Sequence, residues 1–232
     1  MKSGNRKSML LAAAVSAGLA HAALATTGTW SGATDNSWLT ASNWGTAAAP
    51  NATGDDAIFN TAGAGNLNII ANTGTLTVRT LQFNANATNP VTINVGNATT
   101  AQFFIINGQT GDDVVVAAGN HVIQGTGTTA VAEVRIGAGS GAAEGFTFNI
   151  ADGTSLNINA RINQQNSGNL YFKNGGGTLT LGQNNGGSGG WNFTGGGFTV
   201  NAGVLVLGNN GATGNSGNKF IVNNGAILEL QA

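Results

Sequence analysis

The 232-residue sequence has no cysteine, two prolines and two histidines, and only 7% of its residues are charged. An ordinary globular chain carries about 25% charged residues, so this surface must be polar by other means; Asn, Thr, Ser and Gln supply them. Lacking cysteine, the chain has no disulfides, which leaves backbone pairing and packing to hold the fold. Clusters of basic residues are also missing, which argues against nucleic acid as a partner. Beyond the N-terminal stretch, no segment of more than a few residues follows the 3.6-residue period of an amphipathic helix. No second apolar run there is long enough to span a membrane.

What the chain has in plenty is glycine, with 38 residues, over twofold the usual share of ~7%. Hydrophobic residues reach 41%, enough to build a core, so a folded chain is expected rather than a disordered one.

The first residues read as a cleaved secretory signal. Lys2, Arg6 and Lys7 form a positive region, and Met9–Leu19 is a short apolar run. The small-x-small sites Ala20-His21-Ala22 and Ala23-Leu24-Ala25 follow, with cleavage after Ala25 favoured over Ala22. The apolar run is shorter than the ~20 residues a membrane-spanning helix needs. Removing residues 1–25 leaves five basic and nine acidic side chains, a net charge of 5 − 9 = −4.

The remainder repeats one local pattern. Strands of alternating apolar and polar residues end in Gly, Asn or Asp, as in Leu76–Phe83, Val91–Val95, Val131–Ile136, Phe146–Ile150, Leu156–Ile158 and Thr178–Leu181. Turns such as Asn107-Gly108, Asp152-Gly153, Asn174-Gly175 and Asn224-Gly225 supply the positive φ that bends require. Near the C-terminus the repeat is explicit. Phe198-Thr-Val-Asn-Ala-Gly203-Val-Leu-Val-Leu207 matches Phe220-Ile-Val-Asn-Asn-Gly225-Ala-Ile-Leu-Glu-Leu230, with the glycines 225 − 203 = 22 residues apart. Phe148-Asn-Ile-Ala-Asp-Gly153-Thr-Ser-Leu156 is a looser relative. A period near twenty residues points to the coils of a β-solenoid, each burying its apolar face against its neighbours. Roughly nine coils stacked ~4.8 Å apart would make a rod about 45 Å long. The alternative is an antiparallel β-sandwich, which Asn-Gly turns favour and the repeat opposes.

Three regions are expected: the signal at 1–25, a Trp-rich capping segment at 26–64, and solenoid repeats at 65–232, incomplete at the C-terminus. The second holds Trp30, Trp38 and Trp44, three of the four tryptophans. Large aromatics can close the first coil of a solenoid, and the same three residues are the candidate carbohydrate contacts. The stretch from Gly175 to Gly197 reads as an excursion from the rod between Leu181 and Phe198.

Gly175-Gly-Gly-Thr-Leu-Thr-Leu-Gly182, followed by Asn-rich sequence and Phe198-Thr-Val-Asn-Ala-Gly-Val-Leu-Val-Leu-Gly208, resembles the autotransporter-associated β-strand repeat, also called the passenger-associated transport repeat. The region Trp30…Trp38…Asn43-Trp44…Pro50…Gly54-Asp55-Asp56-Ala57-Ile58-Phe59 is similar to the N-terminal part of large exported proteins bearing such repeats. The resemblance implies a right-handed parallel β-helix in a Gram-negative-type bacterium, displayed at or released from the cell surface. It carries no catalytic residues to transfer. Autotransporters end in a transmembrane β-barrel, whereas this sequence stops at Ala232 just after a repeat strand. Any membrane attachment is therefore expected through a barrel outside this sequence.

Candidate chemistry is sparse. The best carboxylates are Asp55-Asp56 and Asp112-Asp113, both in Thr-Gly-Asp-Asp turns that precede apolar strands, where Asp serves as a turn residue. His121 is the single histidine after residue 25, which rules out a multi-histidine zinc site. Ser140, Ser155, Ser167 and Ser188 lie outside any Gly-x-Ser-x-Gly motif. Gly137-Ala-Gly139-Ser-Gly141 lacks the helix a phosphate loop needs. Asn-x-Thr at Asn51, Asn86, Asn97 and Asn192 reads as composition. The basic residues Arg79, Arg135, Arg161, Lys173 and Lys219 are scattered along the chain. The expectation is a non-enzymatic exported rod with a structural or adhesive role, no cofactor and no metal. Its partners would be surface or matrix carbohydrate, or other copies of itself. A polysaccharide lyase or glycosidase is the alternative, and it would need acidic and basic residues clustered on adjacent coils.

Overall fold

The computed structural model describes residues 25–60, 65–71, 74–96, 101–108, 111, 113–125, 132–137, 145–164, 170–182, 196–209, 211–214 and 216–231. The expected signal segment, Asp112, Ser140, Ser167, Ser188, Asn97, Asn192 and most of the glycine-rich excursion lie outside these residues.

The strands follow one another coil by coil. β1 (Thr27–Trp30) opens the first coil, and a single 3-10 turn, Ala41–Asn43, follows it. The second coil contains β2 (Asp56–Phe59), β3 (Asn68–Ala71) and β4 (Thr75–Val78). The third contains β5 (Thr80–Phe83), β6 (Thr92–Val95) and β7 (Gln102–Ile106). In the fourth are β8 (Val114–Val116), β9 (Asn120–Gly125) and β10 (Ala132–Ile136). In the fifth are β11 (Phe146–Ile150), β12 (Ser155–Asn159) and β13 (Arg161–Gln164). The last three coils show two strands each: β14 (Leu170–Asn174) with β15 (Thr178–Leu181), β16 (Gly197–Val200) with β17 (Val204–Leu207), and β18 (Phe220–Val222) with β19 (Ile227–Leu230).

Equivalent strands of successive coils stack into three sheets. Sheet A runs β1-β2-β5-β8-β11-β14-β16-β18, sheet B runs β3-β6-β9-β12-β15-β17-β19, and sheet C is β4-β7-β10-β13. Every described strand pair is parallel, as between β12 and β15 or β16 and β18. The fold is thus a parallel β-solenoid. An antiparallel sandwich would pair strands adjacent in sequence through hairpin turns, and here each strand pairs with one a full coil away.

Coil length differs from the sequence expectation. Phe198 and Phe220 are paired at 22 residues, as the repeat implies, but Leu81 pairs Val114 at 33 and Val114 pairs Phe148 at 34. Both of these coils hold a third strand, but so do the coils from Asp56 to Thr80 and from Phe146 to Tyr171, at 80 − 56 = 24 and 171 − 146 = 25 residues, so the third strand does not set coil length. Eight strands of sheet A, seven steps of about 4.8 Å, extend about 34 Å, less than the length expected from nine short coils. One register also shifts. Matching glycines aligns Phe148 with Phe198, whereas the structure pairs Phe146 with Tyr171 and Tyr171 with Phe198. A two-residue slip keeps every side chain on its own face, so the alternating pattern cannot detect it.

Inward residues form ladders of like side chains. In sheet B, Ile69, Ile93, Ile123, Ile158, Leu181, Leu207 and Leu230 are partners in register. All but the last are buried; Leu230 is 70% exposed because no strand follows it among the described residues. Turns are bound just as tightly. Gly203 has φ +67, and a Cβ there would meet the Gly175 and Gly177 carbonyls of the coil below, so this turn requires glycine twice over.

A solenoid with neighbour-only contacts predicts position-dependent costs for one substitution type. Ile158→Ala, mid-rod, should lose about 2–5 kcal/mol in urea denaturation. Leu230→Ala at the exposed end should lose less than about 1 kcal/mol. Equal losses at the two positions would contradict the ladder description.

Candidate functional site

Trp30, Trp38 and Trp44 are 0%, 0% and 1% exposed. Their indoles interlock, with Trp30 and Trp44 centroids 4.9 Å apart and Trp38 and Trp44 at 4.6 Å, and they pack on Phe59 and Phe104 of the next coils. Each indole N–H is satisfied internally: Trp30 donates to the Asn66 carbonyl, Trp38 to Pro50 and Trp44 to Trp38. A sugar needs an open ring face, and these rings offer none. The expectation that they contact carbohydrate is therefore corrected; they are core. The loop around them is held by Asn43, fully buried, whose amide donates to Asp35 and the Ser37 carbonyl and accepts from the Thr34 and Asp35 N–H groups. The Ser37 N–H, with Asn43 and Thr40, holds the Asp35 carboxyl below its ordinary range.

The acidic turns are structural where described. Asp55 accepts the backbone N–H groups of Thr26 and Asn51, tying the first coil to the second. Burial pushes the Asp56 carboxyl up, but the hydrogen bonds from Arg79 and Thr80 outweigh it and leave Asp56 below the usual range. Arg79 grips Asp56 in a fork, through Nε at 2.9 Å and through Nη2. Asp113 is 1% exposed and accepts the Thr147 N–H of the coil above at 2.8 Å.

Two buried bases also bind coil to coil. His121 occupies an inward position of sheet B, level with Leu156. Its ring stacks on Phe83 at 4.0 Å, Nδ1 accepts the Val91 N–H and Nε2 lies 2.7 Å from the Ala118 carbonyl. These contacts fit the neutral ring protonated on Nε2. Burial lowers its pKa, and the bond to Ala118 only partly counters this. Ser155 stands on the opposite face, paired with Asn120, so it cannot use His121 as a base. Lys173 is fully buried and donates from Nζ to the carbonyls of Asn174, Gly175 and Ala202. Burial pushes its ammonium down to about 8.

Three of the remaining charges do meet. On the outward face of sheet C, Glu133 lies level with Arg161 of the next coil and two residues from Arg135. Arg135 Nε is 3.0 Å from Glu133 Oε2, and Arg161 Nη1 is 3.4 Å from Oε1. The Arg135 guanidinium lies 3.6 Å above the Phe103 ring. Residues scattered in sequence thus form one cluster on adjacent coils. Glu133 and Arg135 were visible as same-face neighbours on one strand. Arg161 was not, because its approach depends on a coil length the sequence does not reveal. Elsewhere, a shallow depression of about 560 Å³ beside β1 is lined mostly by alanines, with Asp55 its single ionisable residue.

His121 sets an acid sensitivity with a definite sign. Its folded-state pKa lies below 6.5, so its stabilising contribution is complete above that value and is lost as pH falls. Asp35 and Asp56, held below 3.8, remain ionised through the same window. The urea midpoint should drop between about pH 7 and about pH 5, and His121→Gln should flatten that drop while lowering the midpoint at neutral pH. Identical pH profiles for the two proteins would remove His121 as the cause.

No family model, no curated protein and no solved structure matches the chain.

Proposed function

We propose that the chain is an exported β-repeat passenger with a structural and adhesive role, present at the bacterial surface or secreted from it. One observation carries this reading: Asp55, Asp56, Asp113, His121 and Lys173 all bind one coil to another or close a turn, so they build a rod. The outward side is left with amide ladders. Asn223 donates to Asn201 and Asn201 to Asn174, each at 2.7 Å, and Gln124 donates to Asn94. Such uncharged, regularly spaced amides suit contact with carbohydrate, a matrix or further copies. The resemblance of Gly175–Gly208 to the autotransporter-associated repeat supports the same setting.

The enzyme alternative, a lyase or glycosidase, gains one feature from the fold, the Glu133–Arg135–Arg161 cluster. Glycoside hydrolysis generally takes two facing carboxylates, and among the described residues Glu133 stands in that cluster with arginines only.

Fractionation of the native host, with antibody labelling of intact cells, tests the reading. The chain should be labelled on unbroken cells or recovered from the medium. Purified protein should release no reducing ends from plant or bacterial polysaccharides. Retention in the cytoplasm, or polysaccharide cleavage that tracks with the protein, would overturn the proposal.

A further inference from the structure

Both arginines that lie within described strands, Arg135 on β10 and Arg161 on β13, stand on the outward face of sheet C. Because inward and outward residues alternate, Phe103, Glu133 and Arg161 form one outward row across β7, β10 and β13. Ile105, Arg135 and Asn163 form the row beside it. Glu133 is nearly covered, with its side chain 6% exposed, while both arginine side chains are 31% exposed. The carboxylate therefore lies beneath two guanidinium groups that it orients. It engages one edge of each. Arg135 reaches it through Nε at 3.0 Å, and Arg161 approaches Oε1 through Nη1 at 3.4 Å. The Arg135 guanidinium carbon lies 3.6 Å from the Phe103 ring centroid, a contact that limits the freedom lost when the guanidinium takes up an anion.

The charge count gives this arrangement meaning. Two cations share one carboxylate here, while residues 26–232 carry five basic and nine acidic groups. Of the other bases, Arg79 is paired with Asp56, Lys173 is buried, and Lys219 lies near the C-terminal end. Attraction for an anion must therefore be local, because the molecule as a whole repels one. The site spans β7, β10 and β13, strands spaced ~4.8 Å apart along the rod, which suits an extended polymer crossing the coils better than a compact ligand. Two guanidinium forks suit carboxylate or sulfate groups, and Ile105 with Asn163 offers apolar and amide contacts for sugar rings. Nucleic acid, with its dense phosphates, would call for a larger basic patch.

We infer that the outward face of sheet C binds an anionic polysaccharide, with Arg135 and Arg161 receiving its carboxylate or sulfate groups. This deepens the adhesive reading and rests on it for its setting, although the binding itself is testable on the isolated chain.

The test is affinity electrophoresis of the purified protein through gels containing polygalacturonate, dextran sulfate or neutral dextran, at physiological ionic strength. Retardation is expected in one or both acidic gels and not in dextran; the stronger of the two identifies carboxylate or sulfate as the preferred group. Arg135→Gln and Arg161→Gln should each weaken retention about tenfold. Arg79→Gln, which removes the same charge from the bend between β4 and β5, where Arg79 is paired with Asp56, should leave it unchanged. Arg161→Lys preserves charge and the Glu133 contact but loses the fork, so it should bind several-fold more weakly while folding normally. Absence of retardation in both acidic gels overturns the inference, and surface labelling of intact cells then still stands for the rod. Equal loss with Arg79→Gln, or tighter binding of a single-stranded oligonucleotide than of either polysaccharide, overturns it as well.

Discussion

Backbone hydrogen bonds in this molecule join strands 22 to 35 residues apart, from Phe198 with Phe220 to Ile123 with Ile158. No coil satisfies its own N–H and C=O groups or covers its own apolar face, so stability exists only between coils. The composition follows from that constraint. With neither disulfides nor a charged surface, the chain relies on ladders in which like sits on like: isoleucine on isoleucine in sheet B, asparagine on asparagine at the turns. The turns must stack as closely as the strands, which is why Gly203 faces the carbonyls of Gly175 and Gly177 with no room for a side chain.

The same constraint governs the polar residues. A buried polar group is costly unless bonded, and in a stack the available partners belong to the neighbouring coil. Asp113 therefore accepts an N–H from the coil above, and His121 accepts one from Val91 in the coil below. Lys173 reaches Ala202 of the next coil while closing its own turn at Asn174 and Gly175. Groups that suggest catalysis when read as a bare list of residues are here joints of the rod. Freedom to act outward remains with the amide ladders and with the arginines of sheet C.

Much of the fold was legible because strand alternation is a local property. Leu156-Asn-Ile158 and Thr178-Leu-Thr-Leu181 declare their faces without reference to anything distant, and the turn glycines mark where they end. Coil length was not legible. The repeat from Phe198 to Leu230 reflects the short two-strand coils, whereas the 33- and 34-residue coils between Leu81 and Phe148 are built differently and share no spacing with it. The tryptophans carried two readings, aromatics closing the first coil and a carbohydrate platform, and the sequence does not separate them: burial depends on which coil covers them, and Phe59 and Phe104 do. In Gln102-Phe-Phe-Ile-Ile106 the outward Phe103 and the inward Phe104 are adjacent and chemically identical, so only the register separates them.

Cross-linking tests the parallel, coil-on-coil register directly, and the absence of native cysteine keeps the experiment clean. Asn157 and Thr180 are outward partners across β12 and β15, while Asn163 lies on β13, the next strand in sequence but in another sheet. Parallel neighbours lie about 4.8 Å apart, within the span a disulfide bridges. Asn157→Cys with Thr180→Cys should oxidise to an intramolecular disulfide in the folded protein, and Asn157→Cys with Asn163→Cys should not. A disulfide from the second pair and none from the first would place sequence-adjacent strands together and contradict the solenoid.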